Sequence, residues 1–520
     1  MISSISFAFM INYTSSRQLS IDQFKTPFQT KLNKNNRWVI LSCVVPWDDL
    51  ANLYHKSLCK DNGAATVDTR IIIGAMIIKH KLNLDDREAI IQISENPYMQ
   101  YFLGLSEFTN EPVFDPSLFV SIRKRMDTLN YDELIALILK EDKDVVSIKS
   151  DKEDKDDNDN AGNSVVPIST PATATVTHKG TLKVDGTVAP QQIAYPTDVD
   201  LLNEARENSE RIIDLLWKEN LMDKKPRTYR QKARKEYLLF IKNKKKSKAG
   251  IRAQVRKQLN YTSRNLSSID KIVTAQPEGK LRGILSSRDI KLLQVMHTLR
   301  DQQKHMLDNH TNRCEDRIVS IYQPHVRPMV RGKKAAPVEF GSKIIVSECD
   351  GYFYISHFGW NNYNEAQYLK TAVEQYERNF GYYPSTVLVD GAYGTRENRK
   401  MLEDLGIEFG GKKLGRPDKV SRTARQKRAW RRKLGKRNHV EGKIGNAKVA
   451  NGMDKIKARL HDTSSAWVKF ITIVFCLEQL ARAGYFLPII FVLICICIEM
   501  SGKLNYGKLK FDRLQFLPNP

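Results

Sequence analysis

Two short segments of this 520-residue chain read alike, LKVDG around Asp185 and VLVDG around Asp390. In each, apolar and β-branched residues fit a buried strand, the Asp marks its carboxyl end, and the Gly lets the chain turn at the sheet edge. In α/β sheets that edge is where ligands bind. Adjacent strands lie only about 4.8 Å apart, so two such carboxylates share one small volume if their strands pair. A chain that repeats this pattern is constrained to a layered α/β domain with acid at one edge. An isolated Asp-Gly is more often just a turn, and Asp350-Gly351, between two strand-like runs, is read as a hairpin turn and not as a ligand.

The surrounding pattern supports that fold class. A strand is expected at 180–188 and a capped amphipathic helix at 197–219. Further strands are expected at RIVSIY (317–322), SKIIVSEC (342–349), YFYISHF (352–358), in STVLVDGAYG (385–394) and at IEFGG (407–411), with a helix over 364–380 and a basic helical region over 418–460. Strands interleaved with helices indicate an α/β layer fold, a mixed sheet flanked by helices. Ahead of it, 45–140 reads as a helical unit, because TRIIIGAMIIKHKLN and DDREAIIQISENPYMQYFLGL recur in apolar residues at helical spacing. Asp85 or Asp86 caps the second helix and Pro97 interrupts it. SLFVSIRKRMDTL gives a third helix whose polar face carries Arg123, Lys124 and Arg125, so the unit is either a DNA-end-binding module or a dimerisation domain. Residues 1–44 form an N-terminal extension. Residues 141–178, acidic and then rich in Ser, Thr, Pro and Ala, read as a disordered linker. The α/β domain spans 179–485, with a basic helical insertion at about 220–310, and an apolar segment and tail follow at 486–520. FLPIIFVLICICI (486–498) is too short to span a bilayer comfortably and is read as a buried helix or strand. No basic residues precede the short apolar run at the N-terminus, so no signal peptide is expected.

The formal net charge of +24 points to a polyanionic partner, most simply nucleic acid. A ribosome or an anionic membrane surface would satisfy charge alone. The seven cysteines show neither CxxC nor zinc spacing and read as free thiols of a reducing cytoplasm. The tracts 224–257 and 412–437 carry fifteen and thirteen Lys or Arg. Helical faces usually mix both signs, whereas these tracts hardly do, which suits a DNA channel. The aromatics Tyr229, Tyr237, Tyr261 and Trp430 fit a core or a base-stacking platform equally well.

The segment LGKRNHVEGKIGNAK (434–448) supplies a third acid. On a helix, Glu441 sits roughly 40° from Arg437, and Lys448 roughly 20° from Arg437, so one carboxylate and two cations share a stripe. Alone, Glu441 reads equally well as a surface salt bridge to Arg437 or Lys448. His439 lies roughly 160° from Glu441 and is assigned a packing or phosphate-contact role. Taken with Asp185 and Asp390, Glu441 completes three hard oxygen donors, which suit Mg²⁺ or Mn²⁺, and two such ions support in-line phosphoryl displacement.

These residues resemble the bacterial insertion-sequence transposases with an Asp-Asp-Glu triad, closest to the insertion sequence five group. The resemblance runs through the helical domain, VDGTVAPQQIAYPTDVDLLNEARE, QPHVRPMVRGKKAAPVEFGSK and VDGAYGTRENRK. The group's signature of Tyr, two residues, Arg, three residues, Glu, six residues, Lys is matched by Arg437, Glu441 and Lys448, while Leu434 stands where the Tyr is expected. The resemblance implies a ribonuclease H-like core in which Asp185, Asp390 and Glu441 are catalytic and bind the metal, with Arg437 and Lys448 on the DNA backbone. It further implies cleavage at the ends of a mobile element and joining of the freed 3′-hydroxyl to target DNA. The expected partners are double-stranded DNA and a second copy of the chain in a dimeric synaptic complex, in a bacterial cytoplasm, with no small-molecule cofactor and no membrane. A metal-dependent endonuclease or resolvase of the same fold, and a non-catalytic DNA-binding remnant, stay open as alternatives.

Overall fold

The computed structural model describes residues 13, 24–25, 31–58, 66–146, 178–219, 221, 224–276, 283–330, 337–411 and 424–500. Among the described residues the helices ahead of the sheet are α1 (Arg37–Val44), α2 (Trp47–His55), α3 (Thr69–Lys81), α4 (Asp86–Glu95), α5 (Pro97–Phe102), α6 (Leu118–Thr128) and α7 (Tyr131–Val146). Their limits follow local chemistry. The Asp85 carboxylate accepts from the Arg87 and Glu88 amides to start α4, and Pro97 takes the first position of α5. Helix α1 lies ahead of the expected boundary at 45, yet Trp38 and Leu41 already belong to this core.

The polar face expected on α6 is corrected. Arg123 is buried and grips Asp86 with two hydrogen bonds of 2.7 and 2.8 Å, a geometry that serves packing of α6 on α4 rather than DNA. Arg125 turns to the Tyr54 hydroxyl, leaving Lys124 exposed to solvent.

The sheet comprises β1 (Thr181–Pro190), β2 (Arg327–Val330), β3 (Val338–Cys349), β4 (Tyr352–Gly359), β5 (Thr386–Val389) and β6 (Glu408–Phe409). β3 lies antiparallel to β1, β2 and β4, while β5 runs parallel to β1 and β6 parallel to β5. The order is therefore β4-β3-β1-β5-β6, with β2 on the remaining stretch of β3. Asp350 (φ 47°) and Gly351 (φ 89°) make the β3–β4 turn, since two residues at positive φ match the twist of a hairpin. The strand expected at RIVSIY is absent. Ile318 and Ile321 are buried instead in a helical core, so their apolar surface is covered without a strand partner.

That helical core lies in the insertion between β1 and β2, which comprises α8 (Asp198–Lys218), α9 (Arg230–Lys242), α10 (Lys248–Thr274) and α11 (Ser287–Asp308); α9 packs apart from it, with Tyr237 and Phe240 against Val199, Leu202, Val255 and Leu259. Thr197 caps α8 through the Asp200 amide. After β4 the chain makes a 3₁₀ turn, Glu365–Tyr368, and then α12 (Leu369–Phe380); α13 (Arg396–Asp404) follows β5. Two long helices close the fold, α14 (Ala424–Val449) and α15 (His461–Met500). Helix α15 packs into the helical unit and against β4 at once: Phe470, Val474 and Leu477 share one core with Ile73, Ile77, Ile122 and Tyr352.

The linker expected at 141–178 falls largely outside the described residues. The apolar run 486–498 continues α15 as helical backbone, and its side chains lie outside the description. Among the described residues one helical stretch, His461–Ala483, is long and apolar enough to cross a membrane, and it is mostly buried inside this protein.

Candidate active site

Strand pairing decides where the first two acids meet. In the parallel β1–β5 ladder Val184 is level with Val389, so Asp185 and Asp390, the next residue on each strand, come abreast. Only β5 stops there. β1 continues through Asp185-Gly186 to Pro190, held by β3, which corrects the expectation that the first strand ends at its Asp. The end of β5 leaves a notch in the sheet beside the middle of β1. Asp390 caps the 3₁₀ turn Gly391–Tyr393 and accepts from the Gly391 amide at 2.6 Å. Asp185 accepts from the Gly186 amide at 2.8 Å.

Helix α14 brings the third acid. Val440, Ile444 and Ala447, at helical spacing, pack against Ile344, Val346 and Ala189 of the sheet. Glu441 is next to Val440 and so projects off that apolar stripe, half exposed. The chain after α14 is tied back to β1: the Ile456 amide donates to the Pro190 carbonyl at 2.8 Å and the Gln192 amide to the Ile456 carbonyl at 3.0 Å.

Arg437 joins the group. Its guanidinium bonds the Glu441 carboxylate at 2.5 Å and stands 4.0 Å from Asp390. Burial pushes the Asp185 carboxyl up to about 6; the Gly186 amide and Arg437 oppose this, while Glu365 and Glu441 add to it. Like charges thus gather at one small edge, with the Arg437 guanidinium among them. Among the described residues, no three His, Cys, Asp or Glu side chains are drawn tightly enough to chelate an ion; Arg437 stands between Glu441 and Asp390 instead. Lys448 is half-buried about 10 Å further along α14. His439 is exposed, which removes its packing role. The first half of the tract 412–437 and the side chains of Leu434 and Trp430 lie outside the description, while Arg425, Arg428, Arg431, Arg432 and Lys436 are exposed on α14.

One acid of this edge escaped the sequence reading. Glu365, in the 3₁₀ turn after β4, lies so close to Gly186 that a Cβ built there would meet its carboxylate at 2.2–2.5 Å. The available signal was Gly186 itself, because a glycine inside a strand marks a close approach by a neighbour.

Residues 26–125 match the family described as Transposase domain (DUF772), and residues 387–478 match Transposase DDE domain. Both matches are to transposase domains. The DDE match starts within β5 and takes in Asp390 and Glu441, while Asp185 precedes it. The chain is also 27% identical, over 187 residues, to an uncharacterized protein, ORF8 in the nfe locus of Rhizobium meliloti, covering 35% of this chain and 76% of that protein. No solved structure matches. The transposase matches make DNA the expected partner and cutting of DNA the expected chemistry.

Proposed function

We propose that this chain is a DNA transposase of the insertion sequence five group. In this reading it binds the terminal inverted repeats of an insertion sequence, cleaves the ends and joins the 3′-hydroxyl to target DNA. The observation that carries the reading is the β1–β5 register, which sets Asp185 and Asp390 abreast at the edge where α14 brings Glu441. The order β4-β3-β1-β5-β6, with the β3–β4 hairpin on one side of β1 and two parallel strands on the other, supports a ribonuclease H-like core.

The donor set fits two divalent ions, Mg²⁺ or Mn²⁺. Asp185, Asp390 and Glu441 offer hard oxygens, and burial, to which Glu365 and Glu441 add, disfavours the ionised Asp185 that a bound cation would stabilise. Bound there, such ions would activate the attacking oxygen and stabilise the leaving one in an in-line displacement. The chain's own part is positioning. The sheet fixes two acids, α14 carries the third, and Arg437 is the resting counter-charge that turns to the DNA phosphates, with Lys448 further along the same helix. The exposed cations of α9, α10 and α14 neutralise the duplex backbone. The helical unit serves DNA-end binding or dimerisation, and the synaptic complex holds two copies of the chain in a bacterial cytoplasm. Positioning and charge neutralisation suffice for this chemistry, so no small-molecule cofactor is required.

The test uses the full chain and labelled transposon-end DNA. Glu441→Gln should abolish cleavage in Mg²⁺ while end binding survives; cleavage at near-normal rate would overturn the site. Joining of a 3′-hydroxyl end to new DNA separates a transposase from an endonuclease or resolvase of the same fold, which releases cut ends only. A variant-independent failure of cleavage with intact end binding would favour a non-catalytic remnant.

A further inference from the structure

The edge that carries Asp185 holds one acid more than the proposed triad uses. Glu365 comes from the opposite side of β1. Successive residues of a strand face opposite ways, so Asp185 points toward the α14 side and Gly186 toward the α12 side, where Glu365 waits. The two acids are nevertheless close, because Gly186 has no side chain to hold them apart and β5 has already ended. Any larger residue at 186 would expel the Glu365 carboxylate.

Three further observations show that this placement is built. Lys343 on β3 is 3.1 Å from Glu365 and donates to the Tyr363 carbonyl at 2.7 Å, so its ammonium is fixed and buried behind the acid. The Asn398 side chain donates to the carbonyls of Ala366 and Tyr393 at 2.8 and 2.9 Å. A single amide thus locks the turn that carries Glu365 to the turn that starts at Asp390. The Tyr393 hydroxyl is buried beside Glu365 and Asp185 and bonds the Glu365 side chain, a further contact that holds this acid at the edge.

We propose that Glu365 is a positioning, charge-balancing carboxylate of the metal-binding edge, a fourth acid beside Asp185, Asp390 and Glu441, with Lys343 as its anchor. The inference rests on the proposed function, since it assumes that divalent ions bind at this edge. It adds that their affinity depends on an acid outside the triad. Acids that surround a metal's ligands commonly change its affinity by about 10- to 100-fold when removed. An ordinary Lys–Glu pair at this place would contribute to folding and leave metal binding alone.

Mn²⁺ binding to the full-length chain, followed by calorimetry or by the resonance signal of free Mn²⁺, decides between these roles, with thermal melting recorded for each variant. Asp185→Asn should remove binding; Mn²⁺ binding unchanged by that substitution would overturn the underlying metal-edge reading. If Asp185→Asn behaves as expected, Glu365→Gln should weaken Mn²⁺ about tenfold, and Glu365→Asp, which keeps the charge, should restore most of the affinity. A Glu365→Gln protein that melts lower yet binds Mn²⁺ like the parent would overturn this proposal and leave the triad standing. Should Glu365→Gln fail to fold, Lys343→Met, which frees the Glu365 carboxylate from its anchor, takes its place: Mn²⁺ affinity must change measurably, and binding like that of the parent would overturn the proposal.

Discussion

Helices α14 and α15 follow one another in the chain, and they do opposite work. Over its described side chains α14 buries Val440 and Ala447 against the sheet and exposes Arg425, Arg428, Arg431, Arg432 and Lys436 ahead of that stripe. Helix α15 buries Trp467, Val468, Ile471, Val474 and Leu477, all at 4% exposure or less. One helix is a carrier, fixed by a narrow stripe so that Glu441 and Arg437 reach the sheet edge. The other is a joint, with the helical unit on one side and β4 on the other. Three polar pairs cross the joint. Lys469 meets Asp127 at 2.9 Å, Lys81 meets Glu478, and the Tyr131 hydroxyl contacts Thr472 at 2.7 Å while accepting from the Ile355 amide at 2.9 Å. At the edge, acids crowd with incomplete compensation. Packing and the crowding of charge have been separated onto successive helices.

Substitutions can break that contrast. The largest effect should come from Glu441→Gln, with cleavage reduced by a factor of about 10⁴ or more, equivalent to at least roughly 5 kcal/mol of barrier, and a thermal unfolding free energy within about 0.5 kcal/mol of the parent. A large loss of stability there would show that α14 is a structural joint as well. Trp467→Ala should do the reverse. Its ring is buried against the edge of His80 at 5.0 Å and beneath the Lys79 ammonium at 4.2 Å, so truncation should cost about 3–5 kcal/mol in denaturant unfolding.

Asp185→Asn, in the absence of divalent ions, should stabilise the fold. The folded carboxyl near 6 lies above its ordinary 3.8, so the native state holds the proton more tightly than the unfolded chain does. Ionised Asp185 is therefore a cost that is absent below about pH 4, grows as pH rises and is complete above about pH 6. Melting at pH 8 should show a gain of about 1–2 kcal/mol for the Asn variant, and at pH 4 none; a gain of equal size at both would refute the burial cost of ionised Asp185. Lys79→Met is a smaller perturbation at the joint. Burial pushes the Lys79 ammonium down to about 8, and Asp86 keeps Arg123 when the lysine is gone. Replacing a buried ion with an apolar side chain of similar length should change stability at pH 7 by no more than about 1 kcal/mol. The mildest change concerns salt. Replacing Arg428, Arg431 and Arg432 on α14 with Ala should leave the melting curve in place and flatten the logarithmic salt dependence of DNA binding by about 0.9 for each phosphate that is no longer neutralised.

Much of the local structure is written in short-range chemistry. The caps at Asp85 and Thr197, the break at Pro97 and the turn at Asp350-Gly351 fall where neighbouring residues require them. Helical and strand periods likewise located α3, α8, β3 and β4. The misreadings all concern partners distant in the chain. RIVSIY has the composition of a strand, but its Ile residues found cover among α8, α10 and α11. Arg123 looked like a solvent-facing cation until Asp86 was brought against it.

The sequence by itself determined that this chain would build strands and helices in alternation, carry a strongly basic surface and place acids at Asp185, Asp390 and Glu441. Tertiary structure alone decided that Val184 would lie level with Val389, that Arg437 would stand among the acids, and that Glu365 would reach Gly186. The physical reason is range. Propensity, capping and periodicity act within a few residues, whereas strand register and the meeting of acids 256 positions apart, such as Asp185 and Glu441, are set only when the whole sheet and its helices pack.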